Sequence, residues 1–154
     1  MIEKMQVQIE SHSWNVSFAR VVVAAFISRL DPTIEELEDV KTAVSEAVTN
    51  AVIHGYREEE GIVTISCEIE EETLTVTVSD QGVGIADVKQ AMEPMYTGRP
   101  ELERSGMGFS FMEAFMDVLS VESSPGQGTV VRMQKSFQKE IVRKVLCGKG
   151  EVHG

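Results

Sequence analysis

Cysteine is nearly absent from this 154-residue chain. The two that occur, Cys67 and Cys147, form no CxxC and no Cys/His cluster. A disulfide framework and a zinc site are therefore unsupported, and a reduced, cytoplasmic protein is expected. Long hydrophobic runs are missing too. The longest, Val21-Val22-Val23-Ala24-Ala25-Phe26-Ile27, is bounded by Arg20 and Ser28-Arg29. That is far short of the roughly 20 residues that span a bilayer, so no membrane role is expected. The N-terminus shows no basic start followed by an apolar stretch, which argues against secretion. Cations are outnumbered: 14 Lys and Arg face 25 Asp and Glu, for a net charge of −11. Such a field repels phosphate backbones, which excludes direct nucleic-acid binding and favours a basic protein partner or plain solubility. No GxxxxGK[ST] occurs, so a P-loop is excluded.

What is present suits one globular domain. Hydrophobic residues make up 42% and charged residues 25%, enough for a single core at this length. Met5 to Glu10 alternates like a half-buried strand. Phe18 to Leu30 has helical spacing. Asp31-Pro32 then suits a stop and a new start, with Asp31 as cap and Pro32 in the first helical position. From Ile34 to Ile53 the residues Leu37, Val40, Val44, Ala47, Val48, Ala51 and Val52 make one stripe, ended by Gly55. Ile62 to Ile69 and Leu74 to Ser79 alternate as two strands around an exposed Glu70-Glu71-Glu72 tip. Residues 86–105 read as a functional loop, 109–118 as a helix, and 119–122 and 129–134 as strands. Helices and strands mix without strict βαβ alternation, predicting an α/β (α+β) two-layer sandwich. Residues 1–137 form the domain, and 138–154 a partly disordered C-terminal tail.

Several residues carry chemistry. Glu46 and Asn50 lie four apart, on one face of the predicted helix and at the margin of its apolar stripe. Alone they are the ordinary polar edge of an amphipathic helix. Functionally, Asn50 offers a neutral oxygen to magnesium, and Glu46 lies one turn away, where a carboxylate can deprotonate an attacking hydroxyl. Asp80 closes an apolar strand, placed to accept a hydrogen bond from an amino group such as adenine's. Gly82 and Gly84 let the backbone turn close to a planar base, although an Asp-Gly turn is common in any protein. Gly106 and Gly108 open a helix whose free N–H groups can receive phosphate oxygens. Arg104 precedes that turn as a cation for the terminal phosphate, with Ser105 inside it. Thr129, after Gly126 and Gly128, can bring a hydroxyl near the base, or simply start a strand. His54 and Tyr56 read as structural, and Met92, Met95, Met107, Met112 and Met116 as packing residues.

Together these segments resemble the GHKL ATPase superfamily. Glu46–Asn50 matches its N box, Asp80–Gly84 and Gly106–Gly108 its first two glycine boxes, and Gly126–Thr129 the last. The resemblance implies the Bergerat fold: a mixed β-sheet backed by helices, with Mg2+ and ATP under a lid at 86–105. The lid sequence from Met95 to Phe109 and the stretch Val44 to Tyr56 are similar to the anti-sigma factor serine kinases, their sporulation branch above all. That likeness places Thr97, Arg104, Ser105 and Gly106 among the nucleotide-binding residues, with Asn50 as metal ligand and Glu46 as catalytic base. It implies a homodimer that binds a sigma factor and phosphorylates a serine of an anti-anti-sigma protein. Arg20, polar within an apolar helix, is a candidate sigma-factor contact, or a snorkelling side chain. The first strand is the candidate dimer edge. Alternatives are an ATP-gated sigma-binding module without catalysis, a stress-response anti-sigma serine kinase, and an ATP hydrolase that moves its lid.

Overall fold

A computed structural model describes residues 1–57, 59–93 and 108–137. The chain runs β1 (Ile2–Glu10), α1 (Asn15–Ile27), a 3-10 turn (Ser28–Leu30), α2 (Ile34–Asn50), a π turn (Ala51–Gly55), β2 (Ile62–Glu70), β3 (Thr73–Asp80), α3 (Val88–Ala91), α4 (Gly108–Phe115), β4 (Val118–Ser123) and β5 (Thr129–Ser136). Helices packed on one face of a five-stranded sheet give the two-layer α/β sandwich expected from the sequence.

Strand order is β1-β2-β3-β5-β4, and all four pairings are antiparallel. A mixed sheet was implied by resemblance. Here β3 and β4 do point the same way, but β5 lies between them, so no parallel pair forms. The connection carrying α3 and α4 carries the chain past the place that β5 then fills.

Alternation sets which side chains face the helices. Val63, Ile65, Cys67 and Ile69 of β2 are buried, as are Leu74, Val76 and Val78 of β3 and Val131 and Met133 of β5. The same rows end in Asp80 and Thr129, which are therefore buried polar residues at the sheet's rim. From the helices, Val40, Ala43, Val44, Ala47 and Val48 of α2 meet Ala19, Val23, Phe26 and Ile27 of α1 and Met112 of α4. Burial pushes the Cys67 thiol up to about 12, so it is an inert packing group.

Some element ends differ from the sequence reading. Asp31 does not cap α2. It has a left-handed backbone (φ 49°) and donates its N–H to Ser28 O, closing the 3-10 turn instead. Thr33 is the cap: its Oγ1 accepts from Glu36 N–H (3.0 Å), and Glu36 Oε1 accepts from Thr33 N–H (2.9 Å). Pro32 therefore precedes the helix. α4 ends at Phe115 because Asp117 is already bound to β5, donating its N–H to Gln134 O (2.8 Å) and accepting Ser136 N–H at Oδ2 (2.7 Å). The helical stripe through Ile53 is real, but beyond Asn50 it continues as a π turn.

Candidate functional site: a nucleotide pocket

The site is built around the end of α2. Glu46 and Asn50 lie on its last two turns, half-buried beside Ala47 and Val48. Gly108, the first residue of α4, packs directly against both. A Cβ at Gly108 would stand 3.3 Å from Asn50 Nδ2 and Oδ1 and from Glu46 Oε2. Any larger residue would crowd the amide and the carboxylate. Residues 46 and 108, far apart in sequence, thus form one polar corner at a helix N-terminus.

Five residues past Asn50, the π turn brings Gly55 to the other corner. A Cβ on Gly55 would come within 2.9 Å of the Asp80 carboxylate, so that wall has no room for a side chain. Gly55 O accepts Val83 N–H (2.8 Å), and Gly82 packs so tightly on it that a Cβ would meet Gly55 O at 2.0 Å. π turns of this kind widen a helix locally and recur at functional sites.

Asp80 is 5% exposed. Its Oδ1 accepts Gly82 N–H (2.8 Å), fixing the turn after β3. Burial raises its carboxyl above the ordinary 3.8, while the backbone N–H groups of Gly82 and Thr129 pull it back. A carboxylate has about four lone-pair sites, which leaves it capacity for an amino group. Thr129 is its partner across the β3–β5 ladder. Gly84 (φ +77°) and Gly128 (φ +75°) adopt backbones that L side chains rarely take, and a Cβ on either would meet a carbonyl oxygen at 2.0 Å.

Ser123 joins these turns and went unread in the sequence. Its Oγ donates to Gly128 O (2.8 Å), receives Ile85 N–H (2.7 Å) and shares a 2.8 Å hydrogen bond with Thr129 Oγ1. The Thr129 hydroxyl, at the first residue of β5, is thereby oriented. The local sequence at Gly55 and Tyr56 predicts only a helix stop and a structural residue. Their contact with Asp80–Val83 arises from the register of distant elements, which no local pattern announces. The signal available was a glycine five residues beyond Asn50.

The structure thus brings together Glu46, Asn50 and Gly108 at one corner, and Asp80, Gly82, Gly84 and Thr129 at the other. Thr97, Arg104, Ser105 and Gly106 lie outside the described residues, as does most of the expected lid. Its described start, α3, is capped by Asp87, whose Oδ1 accepts Gln90 N–H (2.9 Å). Arg20 sits on α1 with its Nε shielded and unpartnered among the described residues. Among those residues no three His, Cys, Asp or Glu side chains converge as a metal cluster. A magnesium ion at Asn50 would instead rely on phosphate and water oxygens, which is how this ion is commonly held. No described helix is long and apolar enough to cross a membrane.

A two-layer sandwich with these glycine turns is the architecture of an ATPase-type domain. The pattern of the histidine kinase-like ATPase domain matches residues 9–135. The chain is 62% identical over 136 residues to the anti-sigma F factor of Clostridium novyi (strain NT), covering 88% of this chain and 95% of that one. It is 60% identical over 137 residues to the anti-sigma F factor of Pasteuria penetrans (88% and 91% covered). With that of Clostridium acetobutylicum it shares 58% over 134 residues (87% and 94%). The chain belongs to the histidine kinase-like ATPase family, within the branch formed by the anti-sigma F factors.

Proposed function

We propose that this protein is an anti-sigma factor of sporulation that binds and inhibits a sigma factor, and that it uses Mg-ATP to phosphorylate a serine of an anti-anti-sigma protein. The observation that carries the reading is the span of α2 and its π turn. Asn50 and Gly55 lie five positions apart, and each stands at one corner of the site; in this reading phosphate and metal go to Glu46, Asn50 and Gly108, and the base to Gly55, Asp80 and Thr129.

In this account Asp80 accepts the exocyclic amino group of adenine, and Gly82 and Gly84 let the backbone approach the ring. Asn50 supplies an oxygen to Mg2+, which neutralises phosphate charge when bound. The N–H groups opening α4 receive phosphate oxygens. Glu46 takes the proton of the substrate serine as its oxygen bonds to the γ-phosphorus and the bond to the β–γ bridging oxygen breaks, leaving ADP. Such transfer needs mainly positioning and charge neutralisation, which suits a site with few catalytic groups. Thr97, Arg104, Ser105 and Gly106 complete it from the lid. Arg20 is the candidate sigma-factor contact. Its sigma partner places the activity in the cytoplasm. A homodimer fits the surface: among the described residues β1 pairs only with β2, and Trp14, just before α1, is exposed together with Phe18 and Val21 of α1.

Transcription by sigma-loaded RNA polymerase, run with the native protein and with Asn50→Ala, tests the reading. The native protein should inhibit in Mg-ATP, and the variant should lose both magnesium-dependent binding of fluorescent ATP and that inhibition. A native protein that leaves transcription unaffected, or a variant that binds Mg-ATP unchanged, would contradict it.

A further inference from the structure

Tyr56 caps the π turn, and its side chain reaches across to the base corner. Its hydroxyl accepts the N–H of Gln81 (2.7 Å) and donates to Ile62 O at the start of β2 (2.6 Å). Gln81 directly follows Asp80. Two residues on, Val83 N–H is held by Gly55 O at 2.8 Å. The turn that carries Asp80 is therefore gripped on both sides by successive residues of one helix end. The ring has a dedicated seat as well: a Cβ on Gly61 would lie 2.3 Å from its Cε1. The same helix carries Asn50, six residues back.

We infer that Tyr56 is a positioning residue for adenine recognition, acting through the Asp80–Gln81–Gly82 turn and not by touching the nucleotide. The inference rests on the nucleotide-site reading above and extends it. A backbone N–H fixed by a phenol oxygen cannot rotate with its peptide, so the Asp80 carboxylate is held against Gly55 at one orientation. Removing only the hydroxyl leaves Gln81 N–H and Ile62 O without their partner while the ring keeps its packing. The turn loosens, and the loss falls on the contact that distinguishes adenine from other bases.

The test compares native protein and Tyr56→Phe in their affinity for ATP and for purine riboside triphosphate, which lacks only the 6-amino group. Native protein should prefer ATP. Tyr56→Phe should lose about tenfold on ATP, the scale of one hydrogen bond, and less than about twofold on the analogue. In serine phosphorylation the effect should fall on the KM for ATP and not on kcat. A second measurement needs no variant: ATP should slow amide exchange at Gln81 of the native protein more than the analogue does. If the variant keeps the full ATP preference, or the two nucleotides protect Gln81 equally, the role of Tyr56 is refuted while the pocket stands. A native protein without preference for ATP overturns the adenine contact and this inference together.

Discussion

Asp80, the proposed adenine contact, is a buried acid whose ionisation costs stability. It occupies a core-facing position of β3, in the row of Leu74, Val76 and Val78, yet it is a carboxylate. Burial raises its carboxyl, so protonation is favoured in the folded state. Its contribution to stability is therefore fully present below the unfolded value, near 3.8, and is lost as pH rises through the higher folded value. Asp80→Asn removes that ionisation cost and keeps an oxygen for Gly82 N–H. Its melting temperature, compared with native protein, should therefore rise as pH climbs through this window, while its ATP affinity falls. A melting difference that is flat with pH, or unchanged ATP binding, would contradict the role of a buried, ionised acid facing adenine. At this scale much was legible. Strand alternation ending in Asp-x-Gly-x-Gly pointed to Asp80, and the four-residue spacing put Glu46 with Asn50. Ser123, Gly55 and the grip of Tyr56 were not, because each depends on a partner 5 to 38 positions away that only folding selects.

Elements are locked to one another by a few polar contacts at their ends. Lys135 of β5 is the clearest. Its Nζ donates to Phe115 O, the last carbonyl of α4 (2.8 Å), and lies 3.7 Å from Asp39 Oδ2 on α2. Both side chains are largely shielded, so this contact is screened less than a surface pair. It ties the far end of α4 to the helix that carries Asn50, and α4 begins at Gly108. Lys135→Met should lower stability by about 2 kcal/mol in urea unfolding, since it strands a carbonyl and an acid. A change within ~0.5 kcal/mol would show that the contact is solvated and weak. Element boundaries were partly readable. The stripe from Leu37 to Val52 announced α2, and Thr33 with Glu36 spelled a capping box that the Asp31-Pro32 pair obscured. The π turn was hidden because its apolar residues continue the same stripe.

For the whole molecule, the sheet order is what the chain concealed. Both hairpins follow from short connections, but nothing local says that β5 inserts between β3 and β4. That insertion sets Thr129 opposite Asp80 and packs the Gly126–Gly128 turn against Asp80 and Val83. The resemblance of widely spaced boxes implied that they converge, but not that β5 inserts to bring this about. Phosphate transfer to a protein serine is the proposed reaction of this site. The most direct measurement is labelling of an anti-anti-sigma protein by γ-labelled Mg-ATP, with native protein and Glu46→Gln side by side. Serine labelling by the native protein, lost in the variant while ATP is still bound, is the predicted result. Tight ATP binding with no labelling by the native protein would contradict it and leave a nucleotide-gated sigma-binding module in its place.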